Sequence, residues 1–290
     1  MKPPPLRYSR PGSTAEALAL LASLGEDGKV LAGGQSLVPL LSMRLAAPEH
    51  LVDINRLAEL GYVRVEDGQV RVGALARHAE VLADPAASAA QPLLAKALRF
   101  VAHAAIRNRG TTVGSIVHAD PAGEMPAVLA VLDGAVRVAR QGGERLVPAS
   151  EFFLGPLESA VQPGELATEA LFPVLPPAAG TGFAEVSRRR GDYAVCGVAA
   201  TVRLGVGGRI AQARAAYLSV GPSPLVLDLT SAADGTDGFS AAADLARQQL
   251  DPEPDIHATA DYRRHLAGVL TQRALQEALG EAQVGGTAGD

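Results

Sequence analysis

Two glycine-bearing segments stand out as places where a backbone can come close to a charged ligand. The first is Ala32-Gly33-Gly34-Gln35-Ser36, which follows the apolar run Lys29-Val30-Leu31 and leads into a Leu-rich stretch from Leu37. A strand that enters two glycines and then a helix presents backbone N–H groups, helped by the positive end of the helix dipole, and a diphosphate suits them. The spacing is neither Gly-x-Gly-x-x-Gly nor a P-loop, because no Lys-Ser/Thr pair follows. The same residues would equally serve a tight strand–helix turn.

The second segment is Arg107-Asn108-Arg109-Gly110-Thr111-Thr112-Val113-Gly114-Ser115, expected to be a loop, with His118-Ala119-Asp120-Pro121 and Glu124 beyond it. Thr111, Thr112, Gly114 and Ser115 offer hydroxyls and small side chains for close backbone contact. Asp120 and Glu124 offer carboxylates, which accept hydrogen bonds from ribose hydroxyls. The competing reading is a surface loop whose Asp120 is the N-cap of the next helix. Two anion-cradling segments, at 32–36 and 107–115, imply a cofactor held between two lobes.

The remaining candidates carry less chemistry. Cys196 sits in the apolar run Ala194-Val195-Cys196-Gly197-Val198 and reads as a small core residue. His118 suits either a cofactor contact or a structural hydrogen bond. His78, His103 and His265 have no metal-ligand spacing with Cys, Asp or Glu. Arg188-Arg189-Arg190 reads as a solvated or salt-bridged turn, or as a docking point for a partner or anionic acceptor, and Arg263-Arg264 is open in the same way. No pair of residues forms a convincing acid–base dyad.

Around these segments the elements follow from punctuation and period. Ser13, with Glu16 three residues on, caps a helix over Thr14–Leu24 that ends near Gly25. Residues 29–32 form a strand, 37–45 a helix and His50–Ile54 a return strand. Alternating apolar and polar residues on both sides of Asp67-Gly68 mark a hairpin. Residues 76–105 are largely helical with breaks at Pro85 and Pro92, and Met125–Leu132 is apolar. Two further strands are expected at Val136–Arg140 and Glu144–Phe153. Pro173–Gly182 reads as a linker. Beyond it come a strand, a Gly-Gly turn and a strand, then a weakly patterned stretch, Ser231–Gln249, holding a loop and a helix. Ala260–Leu279 is an amphipathic helix, followed by a small, polar, frayed tail from Gly280.

The bulk numbers exclude several classes. A chain of 290 residues with 48% hydrophobic and 20% charged residues has ample core for two or three globular domains. A net charge of −5, no basic stripe and 4% aromatics without Trp argue against nucleic acid. No apolar run reaches the roughly 18 residues a membrane helix needs. The opening residues carry no secretory signal, which points to the cytoplasm. One cysteine cannot supply the roughly four thiolates of an iron–sulfur cluster.

The two segments also carry a resemblance. The stretch from Lys29 to Asn55 resembles the first flavin-binding segment of the medium subunits of molybdenum hydroxylases, the carbon monoxide dehydrogenase and xanthine dehydrogenase group. The stretch from Arg107 to Leu129 is similar to their second segment, and Ser187–Ala200 and Asp261–Leu275 to the start and end of their C-terminal domain. The matches run in order through nearly the whole chain. They imply an α+β protein: a two-lobed FAD-binding domain of the vanillyl-alcohol-oxidase/PCMH type, then a C-terminal α+β domain with a three-stranded sheet and helices. The expected boundaries are 1–57 and 58–176 for the two FAD-binding subdomains and 177–290 for the C-terminal domain.

By position, the resemblance implies that Ala32, Gly33, Gly34, Gln35, Ser36 and Leu37 line the diphosphate, with Thr111, Thr112, Gly114 and Ser115 opposite. Glu124 falls where relatives place an acidic residue on the cofactor, and Asp120 is taken as a cofactor-binding carboxylate beside it. Leu166 and Tyr193 fall near the flavin ring. Two departures are visible. Val113-Gly114 replaces the usual Gly-Gly, and a β-branched Val resists positive φ. Ala184 stands where many relatives carry Lys, so any role of that Lys falls to Arg188 or Arg189 or is vacant.

The implied function is an FAD-carrying electron-transfer subunit of a heteromeric molybdenum hydroxylase, with no catalytic side chain of its own. Molybdopterin and the [2Fe-2S] clusters would sit on large and small partner subunits, assembled as a heterotrimer, often doubled to a heterohexamer. The alternatives are a stand-alone FAD oxidoreductase, which would need its own substrate base, and a scaffold that has lost FAD. Substrate and terminal acceptor cannot be read from this chain.

Overall fold

The structure is a computed structural model and describes residues 2–287. The chain opens as two strand–helix crossovers. Strands β1 (Arg7–Ser9), β2 (Gly28–Leu31) and β3 (His50–Asp53) form a parallel sheet in the order β1-β3-β2. Helices α1 (Thr14–Leu24) and α2 (Leu37–Met43) make the connections. Ser13 caps α1 as expected, accepting the Glu16 N–H at 3.2 Å, while the Glu16 carboxylate accepts the Gly12 N–H at 2.7 Å. Ala17 and Leu21 bury the inner face of that helix.

The hairpin of β4 (Val63–Glu66) and β5 (Gln69–Gly73) turns at Asp67 and Gly68, both at positive φ (53° and 72°), the pairing that matches strand twist. Helices α3 (His78–Ala83), α4 (Pro85–Ala90) and α5 (Pro92–Leu98) follow. Pro85 and Pro92 each take the first helical position, where the missing N–H costs nothing. Three more helices come next: α6 (Ala104–Arg107), α7 (Thr112–His118) and α8 (Glu124–Val131). Strands β6 (Ala135–Arg140) and β7 (Gly143–Pro148) pair in antiparallel fashion. The single strand expected through Phe153 is broken by a helical turn, α9 (Ala149–Phe152), which buries Phe152 in the core. A small hairpin, β8 (Phe153–Gly155) and β9 (Glu158–Ser159), leads to β10 (Leu166–Pro173).

β10 takes the centre of a five-stranded antiparallel sheet, β4-β5-β10-β6-β7. Its residues from Leu166 to Phe172 are all buried. The one carboxylate among them, Glu169, is matched by the Tyr62 hydroxyl at 2.7 Å, by Arg71 at 2.7 and 3.0 Å and by Arg137 at 3.2 Å.

The third sheet corrects the expectation of three strands. It has four, β11 (Ala179–Ser187), β12 (Ala194–Leu204), β13 (Ile210–Leu218) and β14 (Leu225–Asp228), antiparallel in that order. β11 also takes up the last part of the expected linker. One face packs on α10 (Ser240–Gln249) and α11 (Ala260–Thr287), and Cys196 lies wholly buried on that side, its thiol pushed up to about 12 by burial. The opposite face sends Phe183, Ala199, Ala216 and Leu218 into the core shared with α8 and the five-stranded sheet. Lys96 on α5 fastens the same junction, donating to the Thr181 carbonyl at 2.5 Å and pairing with Glu277 and Glu281 at 2.7 Å each. The frayed tail expected from Gly280 is instead helical as far as Thr287; residues 288–290 lie outside the described residues.

The arginine pairs resolve differently. Arg263 is buried and donates to the Val195 and Glu253 carbonyls and to Asp255; Arg264 holds the Leu250 carbonyl, Asp251 and Asp261. Both are structural. Arg188, Arg189 and Arg190 are exposed, and Arg188 pairs with Asp192 at 3.8 Å.

Candidate functional site

The first segment is an open turn between β2 and α2. Gly34 has φ of 72°, a conformation that favours glycine, and its carbonyl accepts the Val38 N–H at 3.0 Å. Gln35 folds its side-chain amide back onto the Gly33 carbonyl at 3.0 Å. Ala32 through Leu37 are all half-buried. The N–H groups of Gly33, Gly34, Gln35 and Ser36 donate to no acceptor among the described residues. Four neighbouring donors without acceptors, between the end of β2 and the start of α2, suit an anion's oxygens.

The two segments meet. A Cβ at Gly33 would stand 2.5 Å from the Arg109 carbonyl oxygen and 2.8 Å from the Gly110 Cα. Only a glycine lets these two stretches of backbone lie together. A chain of polar contacts crosses the same seam. Asp53, at the end of β3, accepts from Tyr8, from the Asn55 N–H at 2.8 Å and from the Asn55 amide at 2.6 Å. That amide also donates to the Ala32 carbonyl at 2.8 Å. Arg77 then donates to Asn55 Oδ1 at 2.7 Å with one nitrogen and to the Arg109 carbonyl at 2.8 Å with another. Below it, the His78 N–H donates to the Gly110 carbonyl at 3.0 Å and the Thr112 N–H to the Ala76 carbonyl at 3.3 Å.

The second segment is not the loop expected. From Thr112 it is helix α7, with Thr111 as N-cap accepting the Gly114 N–H at 3.1 Å. Val113 and Gly114 keep helical backbone, so the concern that Val113 could not take positive φ does not arise. Val113 is a core residue. Thr112 is fully buried, with its hydroxyl 3.2 Å from the His78 ring, whose pKa burial and then Arg107 push down to about 4. That leaves Thr112 no free polar group to offer a ligand. Gly114 and Ser115 remain partly exposed; the Ser115 N–H is spent on the Thr111 carbonyl at 3.0 Å. The N-cap of α8 is Gly123 rather than Asp120; Asp120 accepts the Ala122 N–H at 2.9 Å in a turn of its own.

Carboxyl groups gather where α8 meets the third sheet. Glu124, at the first position of α8, is pushed up to about 7 by burial and then by Asp120. Glu185 on β11 is pushed up to about 8 by burial and then by Glu124, and its Oε2 is buried with no hydrogen-bond partner among the described residues. Tyr193 is 69% exposed, yet its hydroxyl is raised, first by desolvation and then by Asp120 and Glu124. The structure thus brings Asp120, Glu124 and Tyr193 together, with Glu124 acting on Glu185. Leu166 is buried at the start of β10, in the sheet on which α7 packs. Nothing in the sequence spacing singled out Asn55, Arg77 or Glu185; a lone carboxylate in the apolar run Phe183-Ala184-Glu185-Val186 was the one available signal.

Comparison with known proteins decides the family. Residues 4–175 match the model of the FAD binding domain in molybdopterin dehydrogenase, and 181–278 that of the CO dehydrogenase flavoprotein C-terminal domain. The chain belongs to the FAD-binding medium-subunit family of the molybdenum hydroxylases. It is 41% identical to the 6-hydroxypseudooxynicotine dehydrogenase complex subunit alpha of Paenarthrobacter nicotinovorans over 288 residues, 98% of this chain and 97% of that one. It is 40% identical to the caffeine dehydrogenase subunit beta of Pseudomonas sp. (strain CBB1), covering 96% of each. A solved carbon monoxide dehydrogenase structure from Hydrogenophaga pseudoflava aligns at a TM-score of 0.90 with 36% identity, over 97% of this chain and 99% of that one. As a medium-subunit flavoprotein, the chain is an FAD-dependent oxidoreductase subunit, and the four open N–H groups beside Gly33 are the feature of this structure that fits the FAD diphosphate. Among the described residues, no helix is long and apolar enough to cross a membrane.

Proposed function

We propose that this chain is the electron-transfer subunit of a heteromeric molybdenum hydroxylase, taking electrons from [2Fe-2S] clusters on a small partner subunit and passing them to an external acceptor. Substrate hydroxylation then belongs to a large molybdopterin-binding partner, in a heterotrimer or its doubled form. The observation that carries the reading is the row of unengaged N–H groups from Gly33 to Ser36, closed on one side by Arg109-Gly110. The lone, buried Cys196 supports it, because cluster thiolates must come from another chain. Bound FAD would supply the ability to take electrons singly and release them as a pair.

The chain's own part is to hold and orient. Ala32 to Leu37 would bind the diphosphate, with Thr111, Gly114 and Ser115 as the facing wall and Thr112 bracing that wall from behind. Asp120, Glu124, Leu166 and Tyr193 would lie along the rest of the cofactor. We take 1–57 and 58–176 as the two lobes of this site and 177–290 as the domain that closes its far end. A cytoplasmic location belongs to the same reading. The test is direct: the purified full chain, offered FAD, should take on the visible absorbance of a bound flavin and gain a few kcal/mol of apparent stability at saturation. It should not reduce that flavin with organic substrates unless the partner subunits are added. A folded chain that neither turns yellow nor shifts its unfolding temperature would refute the reading.

A further inference from the structure

Arg77 occupies an unusual position for a cation. It lies half-buried at the seam between the two segments, with its two bonded nitrogens on neutral oxygens, Asn55 Oδ1 at 2.7 Å and the Arg109 carbonyl at 2.8 Å. Among the described residues no carboxylate forms an ion pair with it. Its pKa is lowered, by burial first, so the guanidinium bears a real desolvation cost. The nearby Asp53 is already taken up by Tyr8, by both Asn55 nitrogens and by Arg10 at 3.5 Å. Glu80 accepts the Arg77 backbone N–H, not its side chain. Arg109, itself exposed, adds a second positive charge close by. Glu80 and Asp53 act on the guanidinium through space, but neither bonds it. A half-buried cation held on neutral acceptors, beside a row of open N–H groups, thus keeps donors for a bound anion.

We propose that Arg77 is a binding residue for the diphosphate, acting as a cationic buckle. It ties the Gly33 loop, through Asn55 and the Ala32 carbonyl, to the Arg109 backbone, and it supplies the positive charge that the ligand's two phosphates require. The inference rests on the FAD reading above and adds a residue from outside both glycine segments. Geometry supports both halves of the role. The guanidinium has five donors, of which two are engaged, and its planar fork is suited to phosphate oxygens. The contacts it makes fix the spot where Gly33 and Arg109 touch, so a shift there would move every N–H in the row.

The test uses the full chain freed of FAD and titrated with FAD and with ADP, which carries the diphosphate without the flavin. Arg77→Gln, which keeps a neutral donor but loses the charge, should weaken both ligands tenfold or more. It should also flatten the salt dependence of binding. Arg77→Lys, which keeps the charge, should lose less than threefold. Equal losses in the two variants would reduce Arg77 to a structural tie and overturn the charge role. Wild-type affinity in Arg77→Gln would overturn the proposal outright. Should Arg77→Gln fail to fold, Arg77→Lys decides alone: near wild-type affinity with undiminished salt dependence supports the proposal, and loss of either refutes it. A wild-type chain that binds neither ligand would instead sink the FAD reading itself.

Discussion

The two sides of the cleft use similar residues in opposite ways. On the first side, Gly33 to Ser36 present backbone donors that meet no acceptor in the protein. On the second, Thr112 spends its N–H on the Ala76 carbonyl, and Gly114 and Ser115 spend theirs on Thr111, which leaves the Thr111 and Val113 N–H groups without an acceptor among the described residues. Beyond them the carboxyls of Asp120, Glu124 and, on β11, Glu185 gather. One side is therefore an unbroken row of donors left for a ligand, while the other ties most of its donors into a strand bridge and a helix start and acts as a wall. A glycine can mark either arrangement, and only the destination of its neighbours' N–H groups tells them apart.

Val113 is the sharpest point at which this contrast can be broken. If the second side were a flexible cradle, restoring the relatives' Gly-Gly with Val113→Gly would improve FAD binding. If it is a folded helix start, the change removes a core side chain, worth about 2 kcal/mol, and places glycine in a helix for about 1 kcal/mol more. The expected result is a loss of roughly 3 kcal/mol in denaturant unfolding of the FAD-free chain, with FAD affinity changed less than about threefold. Tighter FAD binding by the variant would show that the second side is the adaptable one.

Alanine at the two glycines tests the same contrast from the other direction. At Gly33 the new methyl meets backbone on both counts, at 2.5 and 2.8 Å, and neither atom can swing aside. At Gly114 it meets the Thr111 hydroxyl at 2.5 Å, a side chain that can rotate away at the cost of the cap, about 1 kcal/mol. Gly33→Ala should thus part the two segments and weaken FAD about tenfold or more, since overpacking costs about 1–3 kcal/mol. Gly114→Ala should lower the unfolding midpoint and leave FAD affinity within about threefold. Isothermal titration of both variants decides; equal losses of affinity would mean that the second side also carries the ligand.

Much of the scaffold was legible because its signals are local. Ser13 with Glu16, Asp67-Gly68, Pro85 and Pro92 each act on their own neighbours, and each produces the cap, turn or helix start it implies. Helix α7 was not legible. Thr-Thr-Val-Gly-Ser is poor in helix formers, and its helicity comes from burying Val113 and Ile116 rather than from propensity. β14 was missed because Leu225–Asp228 is short and follows Pro224, so its pairing with β13 is a tertiary fact. In the site, the glycine loop could be read from a strand, two glycines and a helix in sequence. The Asn55–Arg77–Arg109 chain could not, because it joins residues far apart along the polypeptide, with nothing in their spacing to link them.

The smallest effect concerns the cost of the acid side. Glu185 has a folded pKa of about 8, above its ordinary value of 4.5, because burial and then Glu124 disfavour its charge. Between those values the folded chain keeps a proton that the unfolded chain has released, so stability must fall as pH rises from about 4.5 towards 8. Glu185→Gln removes that linkage while keeping the shape. In the FAD-free chain, the variant should match wild type near pH 4 and gain on it steadily as pH rises towards 8, read as a widening difference in unfolding temperature. Below the ordinary glutamate range both forms are neutral and the difference should vanish. A variant no more stable than wild type at pH 8 would mean that Glu185 is already ionised and solvated there. The acid side would then be as open as the donor side, and the contrast between them would fail at its far end.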